Sequence, residues 1–147
     1  MDNPPVEARR QVKPRFLTFD CYGTLIDWKS GIGGTLLETI KGMPLRGNKL
    51  HEAYLEAERE EEGSYKTYRE VLESSAVRLA KANGARITER AAKKFAESVP
   101  YWPAFPDTAK ALRELGERGY RRFILSNVDT DLLEETIRKN GLEVDGY

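Results

Sequence analysis

A short apolar run that ends in an aspartate most constrains the fold of this chain. Residues 17–19 (Leu-Thr-Phe) form a stretch typical of a strand that is buried on both faces of a parallel sheet. Asp20 follows directly, at the sheet edge where open α/β folds carry their chemistry. Gly23 then permits a sharp turn, and Thr24 adds a hydroxyl. The run predicts an α/β fold with a polar loop after its first strand, although Asp20 would also suit a simple cap of the next element.

A second apolar run has the same kind of ending. Residues 123–125 (Phe-Ile-Leu) follow a predicted amphipathic helix and end in Ser126 and Asn127. Two parallel strands that are joined by a right-handed crossover end at the same edge of their sheet. We therefore expect Asp20 and Ser126 at one edge, with an ordinary strand-end turn as the alternative for Ser126.

The chain between these two runs is predicted to contain helices only. The glycines at 31, 33 and 34 indicate a hinge or linker, and the acidic run 58–62 is interpreted as a solvated helix end. Capping residues, breaks and apolar periodicity predict helices at 35–40, from an N-cap at Asn48 to Gly63, from 68 to Asn83, and from an N-cap at Thr88 to about Ser98. Asp129 or Asp131 is predicted to cap a last helix that ends at Asn140 and Gly141.

Composition narrows the class of partner and the cellular setting. The 24 Lys and Arg residues balance the 24 Asp and Glu residues, which argues against a basic nucleic-acid-binding face. No apolar run is long enough to span a bilayer, and the N-terminal residues lack a secretory signal. The single cysteine, Cys21, has no partner for an internal disulfide, which favours a reducing compartment. We expect a soluble cytoplasmic protein that binds neither nucleic acid nor membrane.

The two motifs together resemble those of a known superfamily. Residues 19–27 (Phe-Asp-Cys-Tyr-Gly-Thr-Leu-Ile-Asp) and 123–127 (Phe-Ile-Leu-Ser-Asn) resemble the first and second motifs of the haloacid dehalogenase superfamily. Tyr22, two positions after the aspartate, resembles the L-2-haloacid dehalogenase (type II) branch, and residues 68–72 resemble part of its helical cap. The resemblance implies a Rossmann-like parallel-sheet core with an all-helical cap insertion. The expected division is a disordered leader at 1–13, a partial α/β core at 14–32 and 103–147, and the cap at 33–102.

The resemblance also implies that Asp20 is a nucleophile. A carboxylate with an ordinary pKa near ~3.9 is ionised at neutral pH and needs no base for its own attack. It would displace halide from the α-carbon of a small anionic substrate, a 2-haloacid, and leave an ester that water cleaves. Donors that hold the developing oxyanion are worth roughly 10² to 10³ in rate each.

Other residues of the two motifs match supporting roles in this family. Ser126 and Asn127 match positions that bind the substrate carboxylate or line the halide pocket. Thr24 would support the nucleophile's loop, or simply stabilise that loop as a structural hydroxyl. Tyr68 would either pack in the cap or face the substrate. The expected catalytic residues are Asp20, Thr24 and Ser126, and the expected substrate-binding residues are Asn127 and the backbone N–H groups of Cys21 and Tyr22.

Tyr22 distinguishes two reactions within the superfamily. Phosphatases of the superfamily carry a second aspartate at this position as a general acid, together with a bound magnesium ion. A phenol with a pKa near ~10 is a poor proton donor at neutral pH. We therefore expect hydrolysis of a carbon–halogen bond without a cofactor, and the alternative is a magnesium-dependent phosphatase.

The family continues beyond the last predicted helix with strands that supply a lysine and an acidic pair. This sequence stops at Tyr147, and Lys139, Asp129 and Asp131 are not expected to replace those groups. We expect an incomplete hydrolase whose own activity is open. The remaining alternative is a catalytically inactive module that forms a homodimer through an exposed sheet edge.

Overall fold

The computed structural model describes residues 15–63 and 65–147, so the predicted leader at 1–13 lies outside the described residues. It confirms the predicted fold class, a parallel α/β core with inserted helices. The elements in chain order are β1 (Phe16–Phe19), α1 (Trp28–Thr39), α2 (Gly47–Glu61), α3 (Tyr68–Ala82), α4 (Glu89–Ala96), a 3₁₀ turn (Val99–Tyr101), α5 (Thr108–Glu117), β2 (Arg121–Ile124) and α6 (Thr130–Asn140).

The two described strands pair in parallel along their whole length. Phe16 lies opposite Arg121 and Phe19 lies opposite Ile124. The prediction that β1 is buried on both faces is wrong, because exposed and half-buried residues alternate along it and Phe16 is 56% exposed. Successive side chains of a strand point to opposite faces. One face of this two-stranded sheet is therefore left open by the described residues.

Helices α1 to α4 form a packed layer, which we call the helical insertion (residues 28–96). Helix α2 contacts α1 and α3, and α4 contacts α1 and α3. Thr88 caps α4 as predicted, accepting the N–H of Ala91 at 3.2 Å. The predicted cap at Asn48 is wrong, because the chain turns at Gly47 (φ +53°) and α2 begins there. Within the described residues, no helix has the length and apolar character needed to cross a bilayer.

The glycine cluster that predicted a hinge lies inside α1, so that prediction is wrong. The reason is close packing against other elements. A Cβ atom on Gly31 would lie 2.2 Å from Cγ of Trp102, and one on Gly33 would lie 3.2 Å from Nε2 of His51. Glycine therefore permits α1 to approach its neighbours closely. The expected boundary between residues 32 and 33 falls within this continuous helix.

Gly31 and Gly34 offer a matched pair of substitutions in α1. Gly31→Ala forces Trp102 to move, and we expect a loss of about 1–3 kcal/mol in the free energy of unfolding. Gly34→Ala meets nothing within 4 Å, and the better helix former should add up to about 1 kcal/mol. Urea denaturation of both variants measures the difference. Equal effects at the two positions would contradict the packing argument.

A buried carboxylate joins α2 to α3. The Glu61 side chain accepts hydrogen bonds from the ammonium of Lys66 and, at 2.6 Å, from Nε of Arg78. These bonds lower the pKa of Glu61 from its usual 4.5 to about 2. The interpretation of the acidic run 58–62 as a solvated helix end is therefore wrong for Glu61, because only 8% of this residue is exposed.

The lowered pKa predicts an acid-dependent loss of stability. Because the folded-state pKa lies below the unfolded one, the contribution of Glu61 is complete above pH 4.5 and is lost as the pH falls to about 2. The urea concentration at the midpoint of unfolding should therefore be higher for the parent than for Glu61→Gln at pH 7. The two midpoints should converge as the pH falls toward about 2. The control is Glu60→Gln, since the more exposed Glu60 also binds Arg78. A gap between parent and Glu61→Gln that stayed constant with pH would refute this assignment.

Candidate functional site

The loop after β1 is a tight turn around one carbonyl oxygen. The oxygen of Cys21 accepts the N–H groups of Thr24, Leu25 and Ile26 at 3.4, 2.8 and 2.9 Å. Gly23 has φ +102°, a conformation that favours glycine, and donates its N–H to the oxygen of Ile26 at 2.9 Å. The turn therefore fixes the backbone immediately after Asp20.

The parallel register sets Asp20 and Ser126 at the same edge of the sheet. Asp20 is the first residue after β1, and Ser126 is the second after β2. Between them, the N–H of Leu125 donates to the oxygen of Phe19 at 2.8 Å. The Asp20 side chain is exposed, and the Thr24 hydroxyl donates to its Oδ2 atom at 3.5 Å. An exposed carboxylate on a fixed turn can act as a nucleophile toward a molecule bound at this edge.

A cleft of about 620 Å³ lies between α3 and the loop after β2. Asn127, one of the expected substrate-binding residues, lines it together with Tyr68 at the start of α3. Asp20, Thr24 and Ser126 are not among its lining residues. The structure thus places Asp20 next to Thr24. It places Asn127 and Tyr68 together in a cleft that Asp20 does not line.

Cys21 enters the site through its backbone alone. Its side chain is fully buried, and burial together with the charge of Asp20 raises the pKa of the thiol to about 12. Among the hydrogen bonds of residues 15–63 and 65–147, the N–H groups of Cys21 and Tyr22 are not donors. Both N–H groups therefore have no acceptor within this part of the structure.

The side chain of Tyr22 is half-buried and packs against the core. Its ring meets the Trp102 ring edge-on, with centroids 6.0 Å apart. Its hydroxyl lies 2.8 Å from the hydroxyl oxygen of Thr136 in α6. Because Thr136 donates its own proton to the oxygen of Leu132, Tyr22 must be the donor in this contact. Burial raises the pKa of the Tyr22 phenol above its ordinary value. The phenol is therefore neutral, and its proton is used in the hydrogen bond to Thr136.

Sequence reasoning missed a carboxyl group beside Tyr68. Glu58 accepts hydrogen bonds from the hydroxyls of Tyr54 at 3.0 Å and Tyr68 at 3.3 Å. Burial raises the pKa of this half-buried carboxyl. The interpretation of the run 58–62 as a solvated helix end is therefore wrong for Glu58 as well. The spacing of four residues between Tyr54 and Glu58 was the available signal, since such residues share a helix face.

Asp129, one of the two predicted caps, is the N-cap residue of α6, but the side chains of Asp129 and Asp131 both bind α3. Asp129 occupies the N-cap position of α6 but makes no side-chain cap bond there. Its carboxylate instead accepts the N–H groups of Tyr68 and Arg69 at 3.2 and 2.9 Å. Asp131 accepts from Nη2 of Arg69 at 2.6 Å. Local sequence carries no signal for a contact that spans the chain in this way.

Within residues 15–63 and 65–147, no group of three or more His, Cys, Asp or Glu side chains converges as a metal site. An exposed carboxylate, Asp20, precedes a fixed turn at the edge of a parallel sheet that carries a helical insertion. This arrangement defines a class of α/β protein that places a carboxylate directly after its first strand.

The family model described as haloacid dehalogenase-like hydrolase matches residues 15–147. The chain belongs to this family of hydrolases. No curated protein sequence gives a significant match.

Solved structures of similar fold include several dehalogenases. The L-2-haloacid dehalogenase from Xanthobacter autotrophicus superimposes with a TM-score of 0.76 at 24% identity, over 91% of this chain and 56% of that one. A structure of that enzyme with chloropropionic acid covalently bound gives 0.75 at the same identity and coverage. The magnesium-bound HAD-hydrolase YfnB from Bacillus subtilis gives 0.69 at 17% identity, over 92% of this chain and 64% of that one. The present chain thus spans little more than half the length of the Xanthobacter enzyme.

The burial of Cys21 predicts an unreactive thiol. In the native protein at pH 8, labelling by iodoacetamide should be at least about 100-fold slower than in urea, because the raised pKa removes the thiolate and burial removes access. Mass spectrometry of the labelled protein measures the rate. Fast labelling under native conditions would show that the turn around the Cys21 carbonyl is open.

Proposed function

We propose that the protein acts as a hydrolase of 2-haloacids with Asp20 as its nucleophile. The observation that carries the proposal is the exposed Asp20 carboxylate beside a fixed turn, with the hydroxyl of Tyr22, two positions later, hydrogen-bonded to Thr136. The similar fold of a dehalogenase that holds chloropropionic acid covalently supports it. The domain division into core and cap, with the helical insertion as cap, belongs to the same proposal.

The reaction has two balanced steps. An Asp20 oxygen attacks the α-carbon of the 2-haloacid, a carbon–oxygen bond forms, and the halide leaves with the electron pair of the carbon–halogen bond. Water then adds to the carbonyl carbon of the Asp20 ester, which releases the 2-hydroxy acid and one proton and restores the carboxylate. The N–H groups of Cys21 and Tyr22 are the proposed donors to the oxyanion of this second step.

The remaining expected residues have supporting roles in this proposal. Thr24 holds the Asp20 carboxylate through the bond between its hydroxyl and Oδ2. Ser126, at the same sheet edge, binds the carboxylate of the substrate. Asn127 completes the binding site from the adjacent cleft. The proposal needs no cofactor, and we place the protein in the cytoplasm.

A magnesium-dependent phosphatase is the second candidate. It is favoured by the similar fold of YfnB, which is bound to magnesium in its structure. The protonated, hydrogen-bonded Tyr22 weighs against it, since a phosphatase needs a group that gives up a proton readily at this position.

A dimerising module without catalysis is the third candidate. The open face of the two-stranded sheet, with Phe16 more than half exposed, favours it. This candidate predicts a stable dimer and no turnover.

The test is halide release from L-2-chloropropionate, measured with and without magnesium. Asp20→Asn should lower the rate roughly 10⁴-fold or more, the scale expected when a nucleophile is removed. Asp27→Asn is the control, because Asp27 caps α1 through Ser30 and asparagine caps as well.

The outcomes separate the three candidates. Magnesium-independent release that disappears in Asp20→Asn supports the dehalogenase. In a parallel assay with p-nitrophenyl phosphate, phosphate release that requires magnesium supports the phosphatase, and a folded dimer inert toward both compounds supports the module. Full activity in Asp20→Asn would remove Asp20 as the nucleophile.

A further inference from the structure

The loop after β2 binds the first turn of α3 through two carboxylates. Asp129 accepts two backbone N–H groups, with Oδ1 3.2 Å from the nitrogen of Tyr68 and Oδ2 2.9 Å from the nitrogen of Arg69. Asp131 pairs with the Arg69 guanidinium at 2.6 Å, and this bond lowers the pKa of Asp131. We call these contacts the carboxylate clasp.

The clasp completes the N-terminus of α3. The first four N–H groups of a helix have no partner within the helix. Here the capping box serves two of them, since the Glu70 carboxylate accepts from the N–H of Thr67 at 2.8 Å and the Thr67 hydroxyl accepts from the N–H of Glu70 at 3.2 Å. Asp129 serves the other two, those of Tyr68 and Arg69. Half of the helix cap is therefore supplied from the far end of the chain, and its negative charge suits the positive end of the helix dipole.

The clasp also borders the cleft that contains Asn127. Asp129 follows Asn127 by two residues, and both line the same cavity as Tyr68. The hydroxyl of Tyr68 is held in turn by Glu58 of α2. The backbone nitrogen and the hydroxyl of Tyr68 are thus fixed by two different elements, which leaves its ring little freedom beside Asn127.

We propose that Asp129, assisted by Asp131, is a positioning residue that holds Tyr68 beside Asn127 and so shapes the cleft that receives the substrate. The link to substrate rests on the proposed function, whereas the clasp itself does not. Asp129 acts through α3 and does not touch the reacting atoms.

Hydrogen exchange of the full chain tests the clasp without any need for turnover. Asp129→Ala should speed exchange of the Tyr68 and Arg69 amides by roughly tenfold or more, because both lose their acceptor, while the β1 amides stay protected. Asp129→Asn keeps one acceptor oxygen, so it should give a smaller increase and serves if the alanine variant does not fold. Asp107→Ala is the matched control, since Asp107 is also an N-cap residue without a side-chain cap bond.

Unchanged exchange at Tyr68 and Arg69 in both Asp129 variants would overturn the clasp. An equal increase in exchange of the Tyr68 and Arg69 amides in Asp107→Ala would overturn it as well. The faster exchange would then not depend on the contacts of Asp129.

Steady-state kinetics with L-2-chloropropionate tests the positioning role. Asp129→Asn should raise KM about fivefold with little change in kcat, because the binding cleft is altered and the nucleophile is not. A residue that only stabilises the fold would instead lower apparent kcat through a smaller active fraction and leave KM unchanged, and that result would overturn the positioning role. If the parent protein releases no halide, the proposed function fails, and the exchange experiment still decides the clasp.

Discussion

The parallel pairing of β1 with β2 is the interaction on which the candidate site depends. Its last hydrogen bond, from Leu125 to Phe19, lies between the two loops that carry the polar residues. Because the side-chain period of a strand is two, a shift of one residue would turn every side chain of the shifted strand to the opposite face. The parallel direction places Asp20 and Ser126 at one edge, and the observed register sets which face each side chain takes.

The helical insertion is tied to this sheet edge by contacts that are distant in sequence. Gly31 permits α1 to pack against Trp102, and Asp129 binds the first turn of α3. Tyr22 connects the loop after β1 to α6 through Thr136. The loop after β1, the cleft and the insertion therefore belong to one connected structure.

Features with local causes were predictable from sequence. Apolar runs located both strands, Thr88 marked the start of α4, and Gly141, in the left-handed conformation, marked the end of α6. Features caused by tertiary contacts were not. Gly31 and Gly33 carry the local signature of a hinge, yet they lie inside α1, where Trp102 and His51 approach them closely. Of the candidate site, sequence indicated the edge that carries Asp20 and Ser126 but not the partners of Tyr22 or Asp129.

The central claim is that Asp20 forms a covalent ester with its substrate. It is tested most directly by a reaction in water labelled with heavy oxygen, with the protein in excess over L-2-chloropropionate, followed by mass spectrometry of the peptide that contains Asp20. The account predicts that this peptide carries either the substrate adduct or the heavy oxygen, because water attacks the carbonyl carbon of the ester. Heavy oxygen in the 2-hydroxy acid, together with an unmodified and unlabelled Asp20 peptide, would contradict it.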